Sequence, residues 1–164
     1  LGGSSKTVFR LIFMENIFDP KAVQQYIDRI NQLQPDTQRK WGKMSVDQML
    51  AHLNVAYETV YEKEKHRKPG MIAKFLMKRF VKPKTTNELP YRQNLPTGPM
   101  FIIGGDRDFD LEKKRLIAFL QKTQELGSSA FDGKEHMSFG TLKAFEWNNL
   151  FAKHLNHHLA QFGV

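Results

Sequence analysis

Two histidines one helical turn apart on an otherwise apolar helix face constrain this chain more than any other feature of it. The segment from Thr141 to Phe162, whose end reads AKHLNHHLAQFGV, spaces its apolar residues for a helix. Placed about 100° apart, Trp147, Leu150, Phe151, Leu155 and Phe162 share one face. His154 and His158 fall inside that face, on either side of its centre line. At i, i+4 their imidazoles can reach a common point, the arrangement that helical metal sites use. Two unpartnered imidazoles in a core cost free energy, so the fold must supply something to satisfy them, and a metal ion is one such partner.

With 164 residues, 40% of them apolar, the chain can bury one sizeable core, and a single domain over residues 6–164 is expected. Leu1–Ser5 reads as an expression remnant or a disordered leader. The absence of Cys excludes disulfides and cysteine nucleophiles and fits a reducing, cytoplasmic setting. Any thiol chemistry must then borrow its thiol. The apolar run Val8–Phe18 is broken by Arg10, Glu15 and Asn16 and falls far short of the roughly 20 residues of a membrane span, so none is expected. The net charge of +8 is mostly local: nine Lys/Arg stand against two Glu between Glu62 and Lys84. Such a stretch is either a solvated face or a docking surface for nucleic acid, anionic lipid or an acidic small molecule. No helix-turn-helix, zinc-finger or RNA-binding aromatic motif accompanies it, and no nucleic-acid partner is expected.

Taken in order, Val8–Phe18 reads as an extended or irregular lead-in packed on the body. Asp19 as N-cap and Pro20 at the first helical position open a helix over about 19–34, striped by Val23, Tyr26, Ile27, Ile30 and Leu33. Ser45 and Gln48 form a capping-box pattern that starts a second helix over 45–63, with Val46, Met49, Leu50, Leu53, Tyr57 and Val60 on its core face. His52 lies at the edge of that stripe, and Glu58 projects away from it. Five prolines between Pro69 and Pro99 forbid one continuous helix in the next stretch. Within it Gly70–Phe80 holds a short basic amphipathic helix, with Met71, Ile72, Phe75, Leu76 and Phe80 on the apolar side. The expectation is a lid packed on the core with its lysines in water, the other reading being a membrane-surface helix. A third long helix over 109–126 stops at Gly127, and a Gly/Ser/Asp-rich loop leads to a fourth over 141–162, on which Glu146 also points away from the core.

The predicted fold is all-α: a four-helix bundle with a long crossover, carrying the short extra helix, between helices two and three. Its topology follows from the histidines. His52 sits about two turns into its helix, whereas His154 and His158 lie near the end of theirs. Parallel helices would leave the imidazoles about 10 Å apart along the axis. Antiparallel ones let them meet, which requires up-down-down-up order and a crossover as long as the bundle.

WGKMSVDQMLAHL in the second helix and FGTLKAFEWNNLFAKHLNHHLAQFGV at the end resemble the DinB/YfiT-like superfamily, within it a branch of mostly uncharacterised bacterial proteins. The two segments cover about forty residues; helix order and spacing agree over nearly the whole chain. The resemblance implies a divalent metal, zinc or nickel, held by His52, His154 and His158. It leaves His157 out of register, as a flanking residue, and puts Gln161 where similar proteins often carry Gln. Where the branch has His-Pro-x-Phe-Gly, this chain reads His136-Met137-Ser138-Phe139-Gly140, so the loop's path is open; an extended one puts His136 about 25 Å from His158, outside the site.

Three neutral imidazoles leave Zn²⁺, Ni²⁺ or Fe²⁺ an open position, the mark of a catalytic rather than a structural site. Water there would serve hydrolysis; a thiolate there would serve transfer. No general base can be named beside the triad, and the superfamily includes transferases that use bacillithiol, mycothiol or glutathione. The expected function is therefore activation of a low-molecular-weight thiol for transfer to an electrophilic small molecule, with the basic stretch attracting an anionic thiol if it folds over the pocket mouth. A metal-dependent hydrolase and a non-catalytic stress-response or binding module are the alternatives, and a homodimer is left open.

Overall fold

The computed structural model describes residues 14–164, so the reading of Leu1–Ser5 and the first part of the lead-in lie outside the described residues. Of the lead-in, Ile17 is fully buried and its N–H donates to Asn148 Oδ1, while Met14 and Phe18 pack against the core. The chain is mostly helical: α1 (Pro20–Gln32), α2 (Val46–Tyr61), α3 (Met71–Leu76), α4 (Lys82–Thr86), α5 (Phe109–Leu126) and α6 (Ala144–Gln161). A π turn, Met77–Val81, joins α3 to α4. The expected punctuation is in place. Asp19 accepts from the Lys21 and Ala22 amides, the Ser45 N–H donates to Gln48 Oε1, and Gly127 ends α5 at φ 72°.

Two departures lie between α5 and α6. Instead of a loop, Lys134–His136 (β1) and Gly140–Leu142 (β2) pair antiparallel as a short hairpin, with His136 opposite Gly140. The fourth long helix therefore starts at Ala144, not 141. Its first amides are met by Asp132, which accepts from Ala144, and by Glu146, which accepts from Lys143. Gly140 turns the chain at φ 72°, a conformation that costs glycine nothing.

α2 is the central element. Every residue from Met49 to Val60 is buried, so this helix has no outward face. It packs on α5 and α6, and α1 packs on the same two helices. Toward α5 the contacts rise together along the two helices: Asn54 with Glu112, Glu58 with Arg115, Tyr61 with Thr123. Toward α6 they run in opposite order, His52 meeting His154 and His158, and Tyr57 stacking on Phe151 at 4.4 Å between ring centroids. Trp147 and Phe131 continue this aromatic core toward the hairpin.

The crossover helix reverses an expectation. Lys74 pairs with Glu135 of the hairpin at the surface, Lys82 pairs with Glu146 in a partly buried contact, and Met71, Ile72, Phe75, Leu76 and Phe80 are exposed. It is not a lid with its apolar side on the core. No described helix is long and apolar enough to cross a membrane.

Candidate functional site

His52 on α2 and His154 and His158 on α6 come together. Each offers one ring nitrogen, and the three nitrogens lie within 4.8 Å of one another. Ring centroids are 4.5 Å apart for His52 and His158, and 4.9 Å for His154 with either. His52 and His158 are buried, and His154 is partly so. For comparison, two nitrogens bound to one tetrahedral zinc at ~2.1 Å stand about 3.4 Å apart, so the cluster needs little movement to fit one ion.

The outer nitrogens decide what the inner ones can do. Nδ1 of His52 lies 2.8 Å from the Phe101 carbonyl oxygen, which can only accept, so the proton of the neutral ring sits on Nδ1. Nδ1 of His158 lies 2.8 Å from Gln161 Oε1. That amide cannot be turned over, because its Nε2 donates to the Trp41 carbonyl at 2.8 Å. Both rings are thereby held as tautomers whose Nε2 carries a lone pair. The Nε2 atoms of His52 and His154 are 2.9 Å apart. One proton, from His154, can bridge them, which leaves His158 Nε2 without a share.

Burial pushes all three imidazoles below their ordinary pKa, His154 well below it and His158 to about 3, with the neighbouring rings adding to the effect; the bond to Phe101 partly opposes it at His52. At neutral pH the cluster is three uncharged rings with more lone pairs than protons on the nitrogens that face inward. The donor set suits a borderline divalent metal, and each of the two fixed rings has the outer-shell acceptor that metal-binding imidazoles usually carry.

The other histidines have separate tasks. His157 faces away, edge-on to Trp41 and Tyr91, and lines a cleft of about 190 Å³ with Met14, Glu88, Lys153 and Asn156. His136 is buried in the hairpin, stacked on Phe139, with Nδ1 accepting from the Ser138 and Phe139 amides; burial lowers its pKa to about 4. That pair of bonds closes the turn in which Met137 stands.

Glu58 is a correction. It is buried, not directed away from the core, because α2 is covered on every side. One carboxylate oxygen bonds to Arg115 and the other to His66 at 2.8 Å; Arg115 also reaches Glu62 and Glu112, each at 3.0 Å. Glu146, partly buried, caps α6 and pairs with Lys82.

Two contributors escape sequence reasoning. The Phe101 carbonyl is a main-chain atom of the crossover and has no side-chain signature. Gly42, at φ 82°, has one: a Cβ there would collide with Gln161 Nε2, so the glycine beside Trp41 marks where α6 closes on the α1–α2 connection.

No curated protein and no solved structure matches the chain. The profile of a family described as "Protein of unknown function (DUF1569)" matches residues 13–163, and the chain belongs to that family.

Proposed function

We propose that this chain is a metal-dependent member of the DinB/YfiT-like superfamily that activates a low-molecular-weight thiol for transfer to an electrophilic small molecule. In this reading α1, α2, α5 and α6 form an up-down-down-up four-helix bundle, and His52, His154 and His158 hold one zinc or nickel ion. The contacts of α2, rising with those of α5 and opposed to those of α6, support the topology. The observation that carries the site is its proton shortage: Phe101 and Gln161 fix two rings with their lone pairs inward.

A divalent ion bound there would supply the charge that keeps a thiol deprotonated at neutral pH. The protein's own groups hold and orient. Gln161, locked to Trp41, sets the plane of the His158 ring, and the Phe101 ring, 5.4 Å from His52 and 5.8 Å from His154, keeps water from that side of the cluster. Among the described residues no carboxylate joins the triad, and Glu58 has both oxygens engaged by Arg115 and His66. Transfer is favoured over hydrolysis because no described side chain beside the triad is free to act as the general base that would assist a metal-bound water.

Metal analysis of protein purified without chelators should find one divalent ion per chain, retained in His157→Ala. Loaded protein should then lower the apparent pKa of added glutathione or bacillithiol, read by thiolate absorbance. Loaded protein that neither shifts a thiol nor consumes an electrophile with it removes the transferase reading and leaves the hydrolase or the non-catalytic module.

A further inference from the structure

Residues 71–86 form one continuous helical rod over the hairpin and the start of α6, and the rod is inside out. Its polar side faces the body. Lys74 Nζ lies 2.9 Å from Glu135, Lys82 Nζ lies 3.0 Å from Glu146, Met77 touches the core, and the carbonyls of Lys84 and Thr86 accept from Lys153 and Asn149. Its apolar side faces outward, with Met71 90%, Ile72 79%, Phe75 66%, Leu76 48% and Phe80 57% exposed.

The π turn helps to make this face continuous. It winds about 4.4 residues per turn rather than 3.6, so residues 77–81 lag an α-helix by roughly a quarter turn. That lag brings Phe80 into line with Ile72 and Leu76, and aligns Lys74, Lys78 and Lys82 along the other side. Arg79 stands beside the apolar face with its guanidinium over the Phe80 ring. Arg67, Lys68, Arg79 and Lys84 are exposed as well.

We infer that this rod is a docking surface for an anionic phospholipid bilayer. Large apolar side chains rimmed by cations are what an interfacial helix presents: the apolar groups enter the headgroup boundary and the cations meet lipid phosphates. A second copy of the chain fits poorly, since a two-fold contact through this face opposes two stretches that each carry nine Lys/Arg against two Glu. Nucleic acid fits less well, because aliphatic Met71, Ile72 and Leu76 make up most of the face and its two rings, Phe75 and Phe80, give no run on which successive bases can stack. The contact is peripheral and independent of the histidine site.

The test is co-sedimentation of the full chain with vesicles of phosphatidylcholine alone and of phosphatidylcholine mixed with phosphatidylglycerol. Binding should require the anionic lipid and weaken with salt. Arg79→Glu or Lys84→Glu should lower partitioning at least about fivefold per site, and Ile72→Ser with Phe75→Ser should lower it further, with helical content unchanged by circular dichroism. A Phe75→Trp variant should shift its emission to the blue on anionic vesicles and be quenched by brominated acyl chains. No binding to anionic vesicles, binding indifferent to Ile72→Ser with Phe75→Ser, adsorption without quenching, or a dimer in light scattering that these serines dissolve each overturns the inference.

Discussion

α2 carries two polar clusters within two turns of each other, and they solve the cost of burial in opposite ways. Around Arg115 the charged groups close on themselves: one guanidinium meets Glu58, Glu62 and Glu112, His66 takes the remaining oxygen of Glu58, and Asn54 donates to Glu112, its own Oδ1 alone being left without a partner. Charge is abundant there, and it is spent on internal contacts. Around His52 there is no formal charge, and the bonds do not close, because the protons are drawn outward to Phe101 and Gln161. A site is thus better recognised by lone pairs that converge on one point than by the amount of buried polarity.

The comparison breaks first at the ligands. His154→Ala or His158→Ala should abolish metal binding, measured by elemental analysis after dialysis, with the Arg115 cluster intact. Second, Arg115→Met should remove about 3 kcal/mol of stability in urea unfolding, since carboxylates buried against it lose their partner, yet leave one metal per chain. Loss of the metal in that variant would mean the two clusters are one unit.

Third, acid should act on the neutral imidazoles. A histidine whose folded pKa lies below its unfolded value stabilises the fold fully above the unfolded pKa and loses that contribution as pH falls through the window between them. For His136, lowered from 6.5 to about 4, about 2 kcal/mol should go between pH 6.5 and 5. His52, His154 and His158 add to the loss in metal-free protein, and metal should oppose it; denaturant midpoints across this range, with and without metal, measure both. Fourth and smallest, Gln161→Leu should weaken metal affinity by about tenfold without abolishing it, read by competition with a chromophoric chelator.

The starts of α1, α2 and α5 were legible because local chemistry sets them: Asp19, Ser45 with Gln48, and, of the two acids near the start of α5, Asp108, which accepts from the Leu111 amide, act within a few residues. The meeting of His52 with His154 and His158 was legible from the i, i+4 pair on one helix face and from the resemblance, and the opposed order of the two helices was inferred from that meeting rather than the reverse. Glu58 was not, because a one-sided wheel assumes a solvent face that α2 lacks. The hairpin was hidden by its length, three residues a strand, and its Gly-rich flanks. The outward turn of Ile72 and Phe75 was hidden because the amphipathic pattern of Gly70–Phe80 does not say which side meets the body; ion pairs to Glu135 and Glu146, far along the chain, decide it.

His52 and His154 are 102 residues apart in the chain. An ion shared between them would therefore be a cross-link as well as a reagent. Closing a loop of that length removes conformational freedom from the unfolded ensemble worth about 4–5 kcal/mol in the chain-entropy treatment used for disulfides. A chain without cysteine would then gain a removable staple, and chelation would loosen the pairing of α2 with α6 before it touched the ion network around Arg115.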